Sequence, residues 1–265
     1  MRRDLEPVGH LVRHWRVNRG LSQLALAERA EVSTRHLSFV ETGKSAPSRE
    51  MVLVLASALD VPLRERNRWL LAAGFAPVYR DENLAAPEMG ELRRVIDLVL
   101  SHHDPFPALA VDRGWNVLAT NAGARRVIAS FVADPAVLAE VGTRAMHLLF
   151  DPRGLRPYVV NWIEIVRATV ERLRHEALED PGGGADALLE DLARYGPLPA
   201  FREILVGPPR LLIPVHLRRD ELELRFFTTI ASLGTPTDVI AHELRIETYY
   251  PVDEVTAAWA RSGVS

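Results

Sequence analysis

The first 75 residues are cut into short helical lengths by caps and stops, and no long element fits between them. Val8, Leu11, Val12 and Trp15 recur at i, i+3, i+4 and i+7, the period of an amphipathic helix. Gly20 stops that helix. Ser22 caps a second one through Ala30. After a tight turn at Glu31-Val32, Ser33 caps a third through Glu41. Thr42-Gly43-Lys44-Ser45 and Pro47 break the chain. Ser48 starts a fourth helix with Val52, Leu55, Ala56 and Leu59 on one face. Pro62 opens a fifth that ends at Gly74. Such a segment packs as an all-α unit. Leu26, Ala30, Leu37 and Val40 form its shared core, with the small Ala27 where two helices cross closely.

The chain has 265 residues, a length that favours two domains. It has no cysteine, which excludes disulfides, thiolate catalysis and Cys-based metal centres. That absence fits a cytoplasmic protein. Met1-Arg2-Arg3 is basic but no apolar stretch follows, so no signal peptide is expected. The longest near-apolar run, Met51 to Leu59, is far short of the ~20 residues of a membrane helix. Charge is uneven. Residues 1–79 carry 12 basic and 8 acidic side chains, the remainder 20 and 27. A basic head on an acidic body points to a polyanion as the partner of the head. Lys44 is the only lysine beside 31 arginines.

Beyond Gly74 the period weakens. Residues 1–75 read as one domain, 76–90 as a linker and 91–265 as a second domain. A helix is expected from Glu91 to about Ser101. Ala108–Val111 and Trp115–Ala119 are short strands around the Asp112-Arg113-Gly114 turn. Asn121 caps a helix to about Phe131. Residues 156–194 look helical, interrupted at Pro181–Gly184. Leu211–Leu217, Leu222–Ala231 and about His242–Tyr249 are strands, with Asp220-Glu221 turning the first pair. Pro251 starts a last helix through Ala260. These elements predict an α+β domain of one sheet with helices on one side.

Residues 21–48, LSQLALAERAEVSTRHLSFVETGKSAPS, resemble the helix-turn-helix of the Xre/phage-repressor family. The match lies in Leu21-Ser22-Gln23, Leu26-Ala27, Val32-Ser33, Leu37, Glu41, Gly43-Lys44 and Pro47-Ser48. The resemblance implies that Thr34, Arg35 and Ser38 read base edges in a major groove, Arg35 through guanine O6 and N7. It places Gln23 and Ser33 on phosphate near helix starts, and Arg16 and Lys44 on phosphate by charge and position.

The second domain has a resemblance of its own. It rests on His102 to Leu109, Val111 to Asn121, Leu149-Phe150-Asp151-Pro152 through Trp162, Gly234-Thr235-Pro236 with Asp238, Glu243 to Glu247, and Tyr250 to Asp253. These segments are similar to the ligand-binding domain of MmyB-like transcription regulators. The fold class implied is multi-domain: an all-α, lambda-repressor-like helix-turn-helix followed by an α+β PAS-like domain. The resemblance makes a fatty acid the ligand class and operator DNA the partner. Half-site reading makes a homodimer the assembly. Many relatives carry an Arg-rich recognition helix with paired Tyr. STRHLSFVETGK departs from that pattern, so their operators do not carry over.

Phe106, Leu109, Val111, Trp115, Trp162, Phe226 and Phe227 are candidates to line an apolar effector pocket, or alternatively plain core. Arg225 and His102 are candidate carboxylate anchors that read more simply as solvated groups. Without a ligand, the second domain would be a dimerisation or protein-interaction module. No cofactor, metal site, membrane contact or enzymatic activity is expected. Ser38 stands where a P-loop at Gly43-Lys44-Ser45 needs glycine, and His10 and His14 lack an HExxH context. Glu164, Glu171 and Glu179 read as a solvated helix face, and no GxSxG elbow is present.

Overall fold

The computed structural model describes residues 6–81, 84–132, 134–180, 183–200, 212–234, 236 and 238–263. The chain divides into two compact units, Met1–Glu82 with Thr235–His242 and Asn83–Gly234 with Glu243–Ser265.

The N-terminal segment of the first unit holds, among its described residues, five helices: α1 (Val8–Asn18), α2 (Gln23–Arg29), α3 (Thr34–Glu41), α4 (Arg49–Ala58) and α5 (Leu63–Ala72). Three of them start on a serine whose side chain accepts a backbone N–H three residues on. The pairs are Ser22 with Ala25, Ser33 with His36 and Ser48 with Met51, at 3.0, 3.1 and 3.2 Å. Each such cap contributes about 1 kcal/mol. Between α2 and α3 the chain reverses at Glu31, φ 54°, and the Val32 N–H donates to the Ala27 carbonyl at 2.9 Å. Val12, Trp15, Leu26, Leu37, Val40, Leu55, Leu59 and Trp69 close the core. Gly9 lets α1 lie directly on α3, because a Cβ there would stand 2.2 Å from the Val40 carbonyl oxygen. Residues just past α5 are tied back to it. The Asn67 Oδ1 accepts the N–H groups of Val78 and Tyr79, and its Nδ2 donates to the Tyr79 carbonyl at 2.7 Å.

The second unit is built on a five-stranded antiparallel sheet in the order β2-β1-β5-β4-β3. Its strands are β1 (Ala108–Val111), β2 (Val117–Thr120), β3 (Val215–Arg219), β4 (Leu222–Ala231) and β5 (Arg245–Pro251). Its helices are α6 (Gly90–His103), α7 (Ala122–Phe131), α8 (Pro135–Val141), α9 (Ala145–Phe150), α10 (Trp162–Glu179), α11 (Ala185–Leu192) and α13 (Glu254–Arg261). A short α12 (Val239–Glu243) precedes β5.

Strand alternation and register sort the sheet into two faces. Leu109 pairs with Thr120 and Glu247, Thr228 with Tyr249, Val215 with Phe226, and Leu217 with Leu224. These residues share one face, packed toward Ile165 of α10 and Leu149 of α9. Ala108, Ala110 and Ile246 look the other way, and Ile96 and Leu100 of α6 cover them. Helices therefore pack on both faces, where the sequence predicted one. The reason is that α6 has an apolar stripe of its own, and the two alanines of β1 make room for it. The two-domain, helix-turn-helix plus α+β PAS-like class holds.

Other elements depart from expectation. Helices α8 and α9 fall where no element was expected. Trp115 is not in a strand: it closes the turn with φ +60°, its N–H donating to the Asp112 carbonyl at 3.0 Å. The strand expected at Leu211–Leu217 starts at Val215, and residue 211 lies outside the described residues. The helix cap expected at Asn121 is there. Its Oδ1 accepts from Ala124 N–H and Ala108 N–H, both at 2.9 Å.

Candidate functional site

In the first unit, α3 presents an outward surface. Leu37 and Val40 point inward and are buried. Arg35 is exposed, and Thr34 and Ser38 are half-buried beside it. Phe39 joins them, a residue that sequence reasoning missed. The residue is 36% exposed, with the Arg35 guanidinium 5.4 Å and the Lys44 ammonium 6.0 Å from its ring centre. Two cations thus share one aromatic platform on the exposed side of α3. Ser33 is exposed at the start of the same helix.

Arg16 and Gln23 stand apart from this surface chemistry. Arg16 Nε donates to Glu41 Oε1 at 2.6 Å, a second guanidinium nitrogen to Oε2 at 2.9 Å, and a third to the Leu21 carbonyl at 2.8 Å. Gln23 Nε2 donates to Glu41 Oε2 at 2.8 Å. Both side chains expected on phosphate are engaged inside the domain by a buried carboxylate. Burial pushes the Glu41 carboxyl up, but the Arg16 and Gln23 hydrogen bonds and the Arg16 and Arg13 charges outweigh it. Its pKa therefore lies below the ordinary glutamate value.

The second unit has a cavity of about 230 Å³ between the sheet and α7, α9 and α10. Its wall is mainly aliphatic, with Leu109, Ile128, Leu149, Leu155, Ile165 and Phe226 prominent. Of the seven candidate lining residues, Leu109 and Phe226 line it. The other five do not. Val111, Trp115 and Trp162 belong to the neighbouring core around Phe150 and Leu173. Phe227 and Phe106 are turned away by strand parity and by the loop before β1. Phe227 stacks on Tyr250 at 5.0 Å on the opposite sheet face. His102 and Arg225 lie at the surface, the first bonded to the Leu98 carbonyl, the second to Glu223.

One part of the cavity wall is polar, and sequence reasoning missed it. Thr169 and Arg172 reach it from α10, Glu247 and Tyr249 from β5. Glu247 is 8% exposed, and burial pushes its carboxyl above the ordinary range against the opposing Arg172 charge. Burial, followed by the Glu247 charge, likewise raises Tyr249 well above the ordinary tyrosine value, and its hydroxyl bonds the Glu247 carboxyl. The Arg172 guanidinium lies 4.2 Å from the centre of the Trp115 ring, and Arg245 lies 5.3 Å from it. Arg245 is paired with Glu176 at 2.8 Å. Arg172 Nε is buried and has no hydrogen-bond partner. A sequence clue existed: Ile165, Ala168, Thr169 and Arg172 fall at i, i+3, i+4 and i+7, so Arg172 ends an apolar stripe.

Among the described residues, no cluster of three or more His, Cys, Asp or Glu can hold a metal ion. None of the described helices is long and apolar enough to cross a membrane.

Comparison with known proteins follows the same division. The family model described as the MmyB-like transcription regulator ligand binding domain matches residues 92–262. The helix-turn-helix model matches residues 12–66. No curated protein matches. A solved structure described as an RNA-binding light-oxygen-voltage receptor aligns at 10% identity over 96% of this chain and 62% of that one, with a TM-score of 0.26.

Proposed function

Because the chain belongs to the family of MmyB-like transcription regulators, a DNA-binding head joined to a ligand-binding domain, we propose that it reads an operator as a homodimer and answers to a slender apolar effector of the fatty-acid class. Thr34, Arg35 and Ser38 read base edges. Ser33 and Lys44 hold phosphate, and Phe39 supports the two cations beside it. Arg16 and Gln23 act on DNA through the helix positions they fix with Glu41. Residues 1–75 form the DNA-binding domain and 91–265 the effector domain, and the protein works in the cytoplasm. It acts as a regulator and not as an enzyme.

The observation that carries the effector reading is the cavity. It lies between sheet and helices, and its wall is mainly aliphatic. At about 230 Å³ it falls below the roughly 300–1,000 Å³ of drug-sized sites, which favours one narrow chain over a ring system. An effector shifts DNA binding only if it prefers one dimer arrangement over another. The test is native mass spectrometry of the purified protein, with identification of anything released by organic extraction. A stoichiometric fatty acid or similar lipid is the expected result. A clean mass, unchanged after adding fatty acids, overturns the effector class and leaves an interaction module.

A further inference from the structure

The sheet face turned away from the cavity is covered by α6 only over Ala108, Ala110 and Ile246. Beside that helix, strand parity puts Arg225, Phe227 and Thr229 of β4 on the same face as Tyr250 of β5 and Arg218 of β3. Phe227 is half-buried and the others are exposed. Phe227 and Tyr250 stack at 5.0 Å, and the His103 ring at the end of α6 meets Tyr250 edge-on at 4.9 Å. A helical ridge thus stands beside an open shelf. The ridge is apolar where a surface helix is normally polar. Leu98, on the side of α6 opposite Ile96 and Leu100, is 57% exposed, and Val99, on the flank shared with His103, is 37% exposed. We propose that the shelf seats α6 of a second copy of the chain, each copy laying its ridge on the shelf of the other. This rests on the homodimer reading above and names the surface that makes the dimer.

One ridge beside one shelf is a shape that complements itself. A two-fold axis parallel to β4 and β5 lays the two helices side by side in one layer between the two sheets. That axis keeps positions along the strands. Helix α6 runs with β5, since its last residue, His103, sits at Tyr250 while Ile96 and Leu100 lie over the β1 alanines and Ile246. At a rise of 1.5 Å per residue, Leu98 stands about 7 Å before His103, level with Thr248 and its β4 pair Thr229. Leu98 therefore meets the partner's Phe227 and the partner's Thr229, and Val99 meets the partner's Val99. Charge agrees with shape. The carbonyl end of α6, with Asp104 just beyond it, arrives near the level of the partner's Arg225, and a helix C-terminus favours a cation. A polynucleotide or an acidic peptide would answer the arginines but leave the rings of the shelf uncovered. A second copy brings an apolar side chain to the rings and a negative helix end to the arginine.

The experiment is sedimentation velocity of the full chain over a concentration series, with Leu98→Glu as the variant. The unaltered protein is expected to sediment as a dimer. Leu98→Glu should weaken dimerisation roughly 30-fold or more, the loss given by a central interface anchor. Because Leu98 is exposed, far-UV circular dichroism of the variant should match that of the unaltered protein. Should Leu98→Glu fail to fold, cross-linking carries the test. The chain has no cysteine, so Val99→Cys supplies the only thiol. A short bismaleimide should link that thiol to its symmetry mate, while Leu178→Cys, on an exposed position of α10, should stay unlinked. A dimer that survives Leu98→Glu, or a dimeric Val99→Cys chain that links no better than Leu178→Cys, overturns the α6 contact while the homodimer reading stands. A monomer at every concentration overturns the homodimer reading and this proposal with it.

Discussion

Arg16 and Glu41 close a two-point ion pair between α1 and the last residue of α3, at 2.6 and 2.9 Å, with the Glu41 side chain only 2% exposed. Gln23 adds a third hydrogen bond from α2 to the same carboxylate. Three helices of the DNA-reading domain therefore meet on one buried anion. Glu41→Ala leaves a buried guanidinium and an amide without their acceptor. It should cost about 3–5 kcal/mol in chemical denaturation of the first unit. The double change Arg16→Met with Glu41→Leu should recover most of the loss. A single-mutant cost below about 1 kcal/mol would mean that the pair behaves as a surface bridge.

The same carboxylate sets an acid limit. Its pKa is held below the unfolded value, so its contribution is complete above the unfolded pKa of about 4.3. That contribution is lost as pH falls through the folded value. Denaturation midpoints measured from about pH 6 downward should drop more steeply in the unaltered protein than in Glu41→Gln. Parallel curves would remove Glu41 from the acid response.

Arg35→Ala should weaken binding to a selected operator by about 1–3 kcal/mol and relax discrimination at one base position. Competition binding against a panel of single-base operator variants reads both effects. A loss of equal size on every sequence would place Arg35 on phosphate only.

Ala168→Phe puts a ring into the cavity from the stripe of α10 that lines it. Overpacking costs about 1–3 kcal/mol, which thermal unfolding measures. Native mass spectrometry should show the lipid-bound fraction gone in a folded protein. Persistent stoichiometric lipid would locate the effector elsewhere.

Asn121 is 4% exposed and bonded to the backbone of Leu100, Phe106, Ala108 and Ala124. Asn121→Ala removes a helix cap and strands buried backbone groups in the loop before β1. A loss of about 2 kcal/mol or more in thermal unfolding is expected. A loss of only a few tenths would show that water replaces the side chain.

The caps Ser22, Ser33, Ser48 and Asn121 were legible in the sequence because each is a hydrogen bond within three residues of its origin. The strands at Ala108–Val111 and Leu222–Ala231 were legible because apolar runs bounded by turns leave few alternatives. What stayed hidden depends on long-range pairing. Val111, Trp115 and Trp162 look like cavity residues until the register of β1 and the turn at Trp115 are known. Arg172 and Glu247 look like surface residues because charge is normally outside. Only the fold brings α10 and β5 together around them. That Arg16 and Gln23 both bond Glu41 was not legible, because nothing local shows that Glu41 is buried between them.

The position of β5 between β1 and β4 has a consequence for the order in which the molecule can be made. The five helices of residues 8–72 have their core partners and caps close together in the chain. Domains of this kind can fold while synthesis continues. The strands that emerge next have an incomplete ladder: β1 can pair with β2, and β4 with β3, but nothing joins the two hairpins. Residues 245–251 supply the joining strand, and with it Glu247 and Tyr249 of the cavity wall. A ribosome-bound chain halted before residue 245 would thus hold a finished reader of DNA and two separate hairpins. The β5 part of the cavity wall is therefore the last of the sheet to be made.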